Sequence, residues 1–257
     1  MLLCIDIGNT HTHFGIASDG HVLFQQEIST RQIDHPVAGF GPVLDRLTAD
    51  NPNLKGVAFC SVVPEASRWL GQMLERHRPA LSLFQLTPDK PLGVPISYPR
   101  PFEIGQDRLA DVAGAQAYCG APAVVIGLGT AVTFDIITRT NGYEGGIIAP
   151  GFDVMRRYLH EQTALLPLLD DSLDVPRIIG QSTVEAMRIG TVIGMGGMIQ
   201  ALLTAVLAEL ARRGEPPPRV LATGGTAELL EKTLRHPFTA VPDLTLRGLA
   251  VAWRLNR

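Results

Sequence analysis

A chain of 257 residues with 46% hydrophobic and 18% charged side chains has the composition of an ordinary folded globular protein. It is long enough to bury a substantial core, as one large domain or two smaller ones. A formal net charge of −3 gives no general electrostatic reason to bind nucleic acid or a membrane surface.

The chain opens with Met1-Leu2-Leu3-Cys4-Ile5-Asp6, which lacks a basic segment and reads as a strand, so no secretion signal is expected. Leu2 to Ile7, His13 to Ala17 and Val22 to Ile28 are strand-like, with Ser18-Asp19-Gly20 as a turn. Val37 to Leu47 reads as a helix, Gly56 to Val62 as a short strand, and Pro64 to His77 as a helix with proline near its start. Leu81 to Leu86 is another strand. Pro88 to Pro101 holds five prolines and little periodicity, which predicts a loop crossing the surface or a cleft.

The pattern then restarts. Asp107 to Tyr118 is helical and ends at Gly120 and Pro122. Ala123 to Leu128, Val132 to Thr138 and Tyr143 to Ile148 give three strands in order, with Asn141-Gly142 as a turn. Thr183 to Arg213 is one long apolar helix, or two joined near Gly194 to Gly197. Arg219 to Ala222 is a strand running through Thr223-Gly224-Gly225-Thr226 into a helix, and Leu246 to Asn256 closes the chain as a helix. The uncharged stretch Ile189 to Ala208 is nominally long enough to cross a bilayer. Its glycines and Gln200 favour a buried or interface helix instead, and we expect it to contribute to a homodimer. Cys4, Cys60 and Cys119 are odd in number and far apart in apolar settings, which predicts free thiols in a reducing cytoplasm.

One segment repeats. Ile5-Asp6-Ile7-Gly8-Asn9-Thr10-His11-Thr12-His13-Phe14-Gly15 returns about 120 residues later as Ile126-Gly127-Leu128-Gly129-Thr130-Ala131-Val132-Thr133-Phe134-Asp135-Ile136. Gly8 aligns with Gly129 and Thr10 with Thr130, Asn9 having no partner. Each copy is an apolar run, a tight Gly-Thr bend and a second apolar run, a hairpin that brings backbone N–H groups and a hydroxyl towards an anion. Two such bends facing each other suit a polyphosphate. Asp6 in the first copy is matched by Gly127 in the second. His11 and His13 point to one face of a strand, but no third or fourth ligand lies at zinc spacing, so they read as partly buried or phosphate-neighbouring histidines. Two three-strand meanders, each followed by alternating helices and strands, predict a duplicated α/β protein with a cleft between halves at 1–103 and 104–257.

These pieces resemble the type III pantothenate kinases of the acetate kinase, sugar kinase, Hsp70 and actin superfamily, whose halves are ribonuclease H-like domains. The resemblance rests on six segments in order. They are Asp6-Ile7-Gly8-Asn9-Thr10; Gly105-Gln106-Asp107-Arg108; Gly129-Thr130 with Thr133-Phe134-Asp135; Gly145-Gly146-Ile147-Ile148-Ala149-Pro150-Gly151; Thr183-Val184-Glu185-Ala186-Met187; and Ala222-Thr223-Gly224-Gly225. It implies that Asp6 works beside Mg²⁺ and the phosphates of ATP, since a carboxylate there is repulsive without a metal between; a turn-capping role is the plain alternative. It implies that Asp6 to His13 lie along the nucleotide, with Thr130 as a second phosphate-side threonine and Gly224 and Gly225 on the adenosine side. Asp107 is the expected catalytic acid facing the primary hydroxyl of pantothenate, or else an acid at a helix N-terminus, and both roles are compatible. Arg108 is expected to pair with an anion, Tyr98, Gly105 and Gln106 to line the substrate, and Thr183 to reach substrate from the other subunit of a homodimer.

Two positions depart from the family pattern. The usual Asp-Phe-Gly-Thr is Gly127-Leu128-Gly129-Thr130 here, which removes the carboxylate assigned to the monovalent cation, K⁺ or NH₄⁺. The usual Gly-Ala-Asp-Arg carries Gln106 beside the catalytic acid. Two expectations follow: an ATP-dependent pantothenate kinase at the entry to coenzyme A synthesis, or a catalytically weak relative acting as an accessory, Bvg accessory factor-like protein. Retained Asp107 favours the first and Gly127 the second.

Overall fold

Each half of the chain builds one five-stranded sheet with the same topology. The computed structural model describes residues 1–34, 39–225 and 227–257; Val37, the expected start of the first helix, and Thr226 lie outside the described residues. In order come β1 (Leu2–Ile7), β2 (His11–Ser18), β3 (His21–Ser29), α1 (Phe40–Asp50), β4 (Gly56–Ser61), α2 (Pro64–His77), β5 (Ser82–Gln85) and α3 (Gln106–Cys119). Then follow β6 (Ala123–Leu128), β7 (Ala131–Thr138), β8 (Gly142–Pro150), α4 (Phe152–Gln162), α5 (Thr183–Arg212), β9 (Arg219–Gly224), α6 (Ala227–Thr233), β10 (Thr239–Ala240) and α7 (Leu244–Leu255). With α4 set aside, both runs read β-β-β-α-β-α-β-α.

The sheet orders are β3-β2-β1-β4-β5 and β10-β9-β6-β7-β8, the second being the first read backwards with each strand replaced by its counterpart. β1 runs antiparallel to β2 and parallel to β4, as β6 does to β7 and β9. These inner strands are nearly continuous apolar runs because both of their faces are covered. The register settles the repeat. Asp6 lies between His13 and Cys60, and Gly127 lies between Thr133 and Thr223, so Asp6 and Gly127 are equivalent, as the sequence alignment expects.

Packing groups Met1–Gly120, Asn141–Glu144 and Asp243–Arg257 into one unit, and Ala121–Thr140 with Gly145–Pro242 into another. This division falls after α3 and not at 103, and it moves α7 to the first unit. In that unit Leu3, Ile5, Ile7, Phe14 and Ile16 pack with Phe40, Leu44, Leu70 and Leu74 of α1 and α2. α3 packs closely with α7, which also rests on β1, β2 and β4. Small buried residues line this contact, Ala110, Ala113 and Gly114 on α3 with Gly248 and Ala252 on α7. The Thr245 hydroxyl bonds Asp111 Oδ1 at 2.7 Å.

In the second unit Val124, Ile126, Val132 and Phe134 meet Met195, Ile199, Leu203 and Leu210 of α5 and Leu229 and Leu230 of α6. α5 is a single helix of 30 residues, unbroken at its glycines. It is apolar and long enough to cross a membrane by composition, yet one face lies in this core. The opposite face exposes small residues: Ala186, Gly190, Gly194, Gly197, Ala201 and Ala205. α4 is absent from the expected elements, because its run of arginines and only two buried residues, Phe152 and Arg156, give a faint apolar period. After it, residues 163–182 form no regular element. Arg156 holds that segment through Asp171 and the Leu169 carbonyl, and Arg188 holds it through Asp170.

Candidate active site

In the first unit the bend after β1 is braced from beneath. The Gly8 N–H donates to the His11 carbonyl at 3.0 Å, closing a four-residue turn. The Thr30 hydroxyl donates to the Gly8 carbonyl at 2.7 Å and shares a 2.9 Å hydrogen bond with the Thr12 hydroxyl. Thr12 is fully buried, so its hydroxyl supports the bend from inside, while Asn9, Thr10 and His11 stand exposed at its tip. Ile7 points into the core, leaving its backbone to the bend, where its carbonyl accepts from Val62 N–H. His13 is half-buried and lies 3.4 Å from Glu27; burial lowers its pKa. Thr30 is a supporting residue that sequence reasoning missed, since a threonine at the end of β3 carries no signal of its partner 22 residues away.

Two side chains from neighbouring strands meet behind this bend, near enough to Asp107 of α3 to feel its charge. Asp6 is the one residue of β1's interior that is not fully buried. The buried Cys60 of β4 donates its thiol hydrogen to Asp6 Oδ1 at 3.3 Å. Burial first, and the charge of Asp107 second, push the Asp6 carboxyl up to about 7, while the thiol hydrogen bond works the other way. Asp107, in the first turn of α3, accepts the Arg108 N–H at 2.9 Å. Burial raises its pKa, and Arg108 pulls it back down. Cys60 is pushed well up by burial and by Asp6, Asp107 and Asp111, so it is a neutral donor at ordinary pH.

Gln106 performs a task that its position beside the acid did not reveal. Its Oε1 accepts the Ser61 N–H at 3.0 Å and Gln85 Nε2 at 3.2 Å, tying the start of α3 to the ends of β4 and β5. Gly105 is the N-cap of α3. Tyr98 is half-buried and lies in the same unit as α3.

The second unit has its own bend. The Gly129 N–H donates to the Ala131 carbonyl at 3.1 Å, repeating Gly8 to His11 one residue shorter, as the unmatched Asn9 requires. Thr130 is exposed, and its carbonyl accepts the N–H of Gly151, the N-cap of α4, at 3.1 Å. An unforeseen helix therefore begins beside this bend, with N–H groups suited to an anion. Gly224 has φ +100, and a Cβ there would lie 2.4 Å from the Leu128 carbonyl, so only glycine lets β9 end against β6. Gly225 is exposed beside it. Thr183 is exposed at the first turn of α5, where Ser182 accepts the Glu185 N–H and Glu185 accepts the Gln181 N–H. Ser182 and Glu185 together cap the start of α5 beside Thr183.

The repeated topology is a duplicated α/β fold of the kind found in actin-like ATPases and sugar kinases. Two solved structures share its fold: a Baf family protein of Campylobacter jejuni (TM-score 0.60, 18% identity, 98% of this chain and 97% of that one), and a Sinorhizobium meliloti protein assigned as a 2-dehydro-3-deoxygalactonokinase (TM-score 0.61, 16% identity, 99% and 96%). The chain belongs to the type III pantothenate kinase family, whose model matches residues 2–205. A type III pantothenate kinase of Akkermansia muciniphila is 39% identical over 99% of this chain and 98% of its own length.

Proposed function

We propose that the chain transfers the γ-phosphoryl group of ATP to the 4′-hydroxyl of pantothenate, the first step of coenzyme A biosynthesis, in the cytoplasm. The observation that carries this reading is the pairing of Asp6 with the Cys60 thiol beside the start of α3, which Gln106 ties to Ser61 and Gln85 so that Asp107 lies within reach of Asp6's charge. Full-length family relatives supply the reaction class.

Asp107 orients the acceptor hydroxyl and takes its proton late, because a loose transition state does not need a prior alkoxide. Arg108 pairs with the pantothenate carboxylate, and Tyr98 lines the acceptor with Gly105. In the first unit Gly8 to Thr10 with His11 offer N–H and hydroxyl donors suited to phosphates; in the second, Thr130 offers its own hydroxyl and Gly224 and Gly225 suit the adenosine side. The donor set fits Mg²⁺: a half-buried carboxylate held at about 7 beside a second acid is relieved by a hard dication. Asp6 would hold the Mg²⁺ that accompanies ATP, and the ion would supply neutralisation of the phosphate charge. At Gly127 the chain offers only backbone, flanked in register by Thr133 and Thr223, so a carboxylate-held K⁺ or NH₄⁺ does not fit that position.

The exposed small-residue face of α5 supports a homodimer in which Thr183 of the partner completes the acceptor site. Sedimentation of Gly194→Arg should give a monomer if that face is the interface, and an unaltered dimer would remove it from consideration.

Purified protein with pantothenate, Mg-ATP and K⁺ or NH₄⁺ should make 4′-phosphopantothenate, and Asp107→Asn should lower kcat by about 10²–10⁴-fold. Absence of turnover at high ATP, with ligand binding intact, would replace this reading with the accessory-factor one. Likeness to the Campylobacter protein at 18% identity concerns the fold alone.

A further inference from the structure

The proline-rich segment before α3 is not a loose loop. Its inner part is paired with Asn141–Glu144, which leave the second half of the sequence to join the first unit. The Tyr143 N–H donates to the Pro95 carbonyl at 2.9 Å, and the Ser97 N–H donates to the Tyr143 carbonyl at 2.9 Å. Ile96 and Tyr143 form a parallel bridge. The Ser97 hydroxyl adds a 2.6 Å bond to the Asn141 carbonyl. Gly142 has φ +72, and a Cβ on it would lie 2.4 Å from the Pro95 carbonyl, so both the turn and the contact demand glycine. Tyr143 is fully buried despite sitting at the start of a hairpin return. Further back, Asn256 Nδ2 bonds the Pro91 carbonyl at 3.2 Å, fixing the other end of the segment.

This pairing ends one residue before Tyr98. We propose that Gly142 and Tyr143, acting through Ser97, are positioning residues for the acceptor pocket, holding Tyr98 where pantothenate is bound. The proposal rests on the acceptor-site reading of Tyr98 given above. A bare segment with five prolines between Pro88 and Pro101 has few backbone donors to fix its own shape. The hairpin tip supplies the missing partners, at the residues adjoining the tyrosine. A specificity contact needs its side chain held closely, and removing the support displaces the contact without touching nucleotide groups.

The test uses the full-length kinase and four variants: Ser97→Ala, Ser97→Thr, Gly142→Ala and Tyr98→Ala. Ser97→Ala should raise KM for pantothenate by about 5-fold, the effect of one hydrogen bond, with KM for ATP held within about 2-fold. Gly142→Ala should raise it further, and Ser97→Thr, which keeps the hydroxyl, should restore the parent value. A purely structural tip would lower the melting temperature and move both KM values together, which overturns the proposal. So does an unchanged pantothenate KM in Ser97→Ala while Tyr98→Ala raises it. If Tyr98→Ala itself leaves the pantothenate KM alone, the acceptor-site reading fails, and the positioning role falls with it by a separate signature. Should Gly142→Ala not fold, the Ser97 pair decides.

Discussion

Cys60 reaches across a parallel strand pair to donate its thiol hydrogen to Asp6 Oδ1 at 3.3 Å. That bond favours the ionised carboxylate against burial and the neighbouring Asp107. Cys60→Ala should therefore leave Asp6 protonated to higher pH. The acidic limb of the kcat/KM profile should move up by about half a pH unit, as expected for a weak hydrogen bond of about 0.5–1 kcal/mol. Cys60→Ser, which keeps a donor, should stay near the parent profile. Superimposable profiles for the alanine variant and the parent would show that the thiol does not tune Asp6.

Asp6 also gives stability a direction with pH. Its folded pKa of about 7 lies above the ordinary value of 3.8, so the folded chain keeps a proton that the unfolded chain has lost. The favourable contribution is complete below about pH 4 and disappears as pH rises through 7. Asp6→Asn, which stays neutral, should gain melting temperature relative to the parent as pH goes from 5 to 8. Mg-ATP should narrow that gap by stabilising the ionised parent, with proton release below pH 7 visible by calorimetry in two buffers. A gap that stays constant from pH 5 to 8 would contradict the raised pKa.

Gly127 stands in the register of Asp6 between Thr133 and Thr223. Gly127→Asp should raise the rate or steepen its dependence on K⁺, because a carboxylate would then face the phosphate side of the second bend. An identical rate and cation response would show that the position is silent in this chain.

Gly224→Ala should cost about 1–3 kcal/mol of stability, since its φ of +100 and its contact with the Leu128 carbonyl both exclude a side chain. If the backbone there meets adenosine, KM for ATP should rise more than KM for pantothenate. Equal changes in the two would place the glycine outside the nucleotide site.

The strands and most helices were legible because their apolar periods are strong: β1, α2 and β6 begin and end at the residues that periodicity indicates. The duplication was legible because Gly8-Asn9-Thr10 and Gly129-Thr130 differ by one residue, and the hydrogen bonds closing both bends absorb that difference. α4 was not legible, since Arg156 is a buried cation held by Asp153 and Asp171, and no hydrophobic scale marks such a residue as interior. Gln106 was expected to line the substrate beside the acid; its ties to Ser61 and Gln85 depend on strand ends 45 and 21 residues away. The assignment of α7 was hidden for a related reason. Chain order reveals repeats, but which sheet a helix covers is decided by long-range contacts.

Because α3 is packed against α7, the helix bearing Asp107 is synthesised well over a hundred residues before its neighbour. At ribosomal speeds of about 5–20 residues per second the delay is roughly ten seconds. Throughout that interval α3, with Asp107 as the proposed general base, is tied to the first sheet only at its start and lacks the α7 face it packs against. Ribosome-bound chains halted before α7 emerges should accordingly leave α3 open to protease.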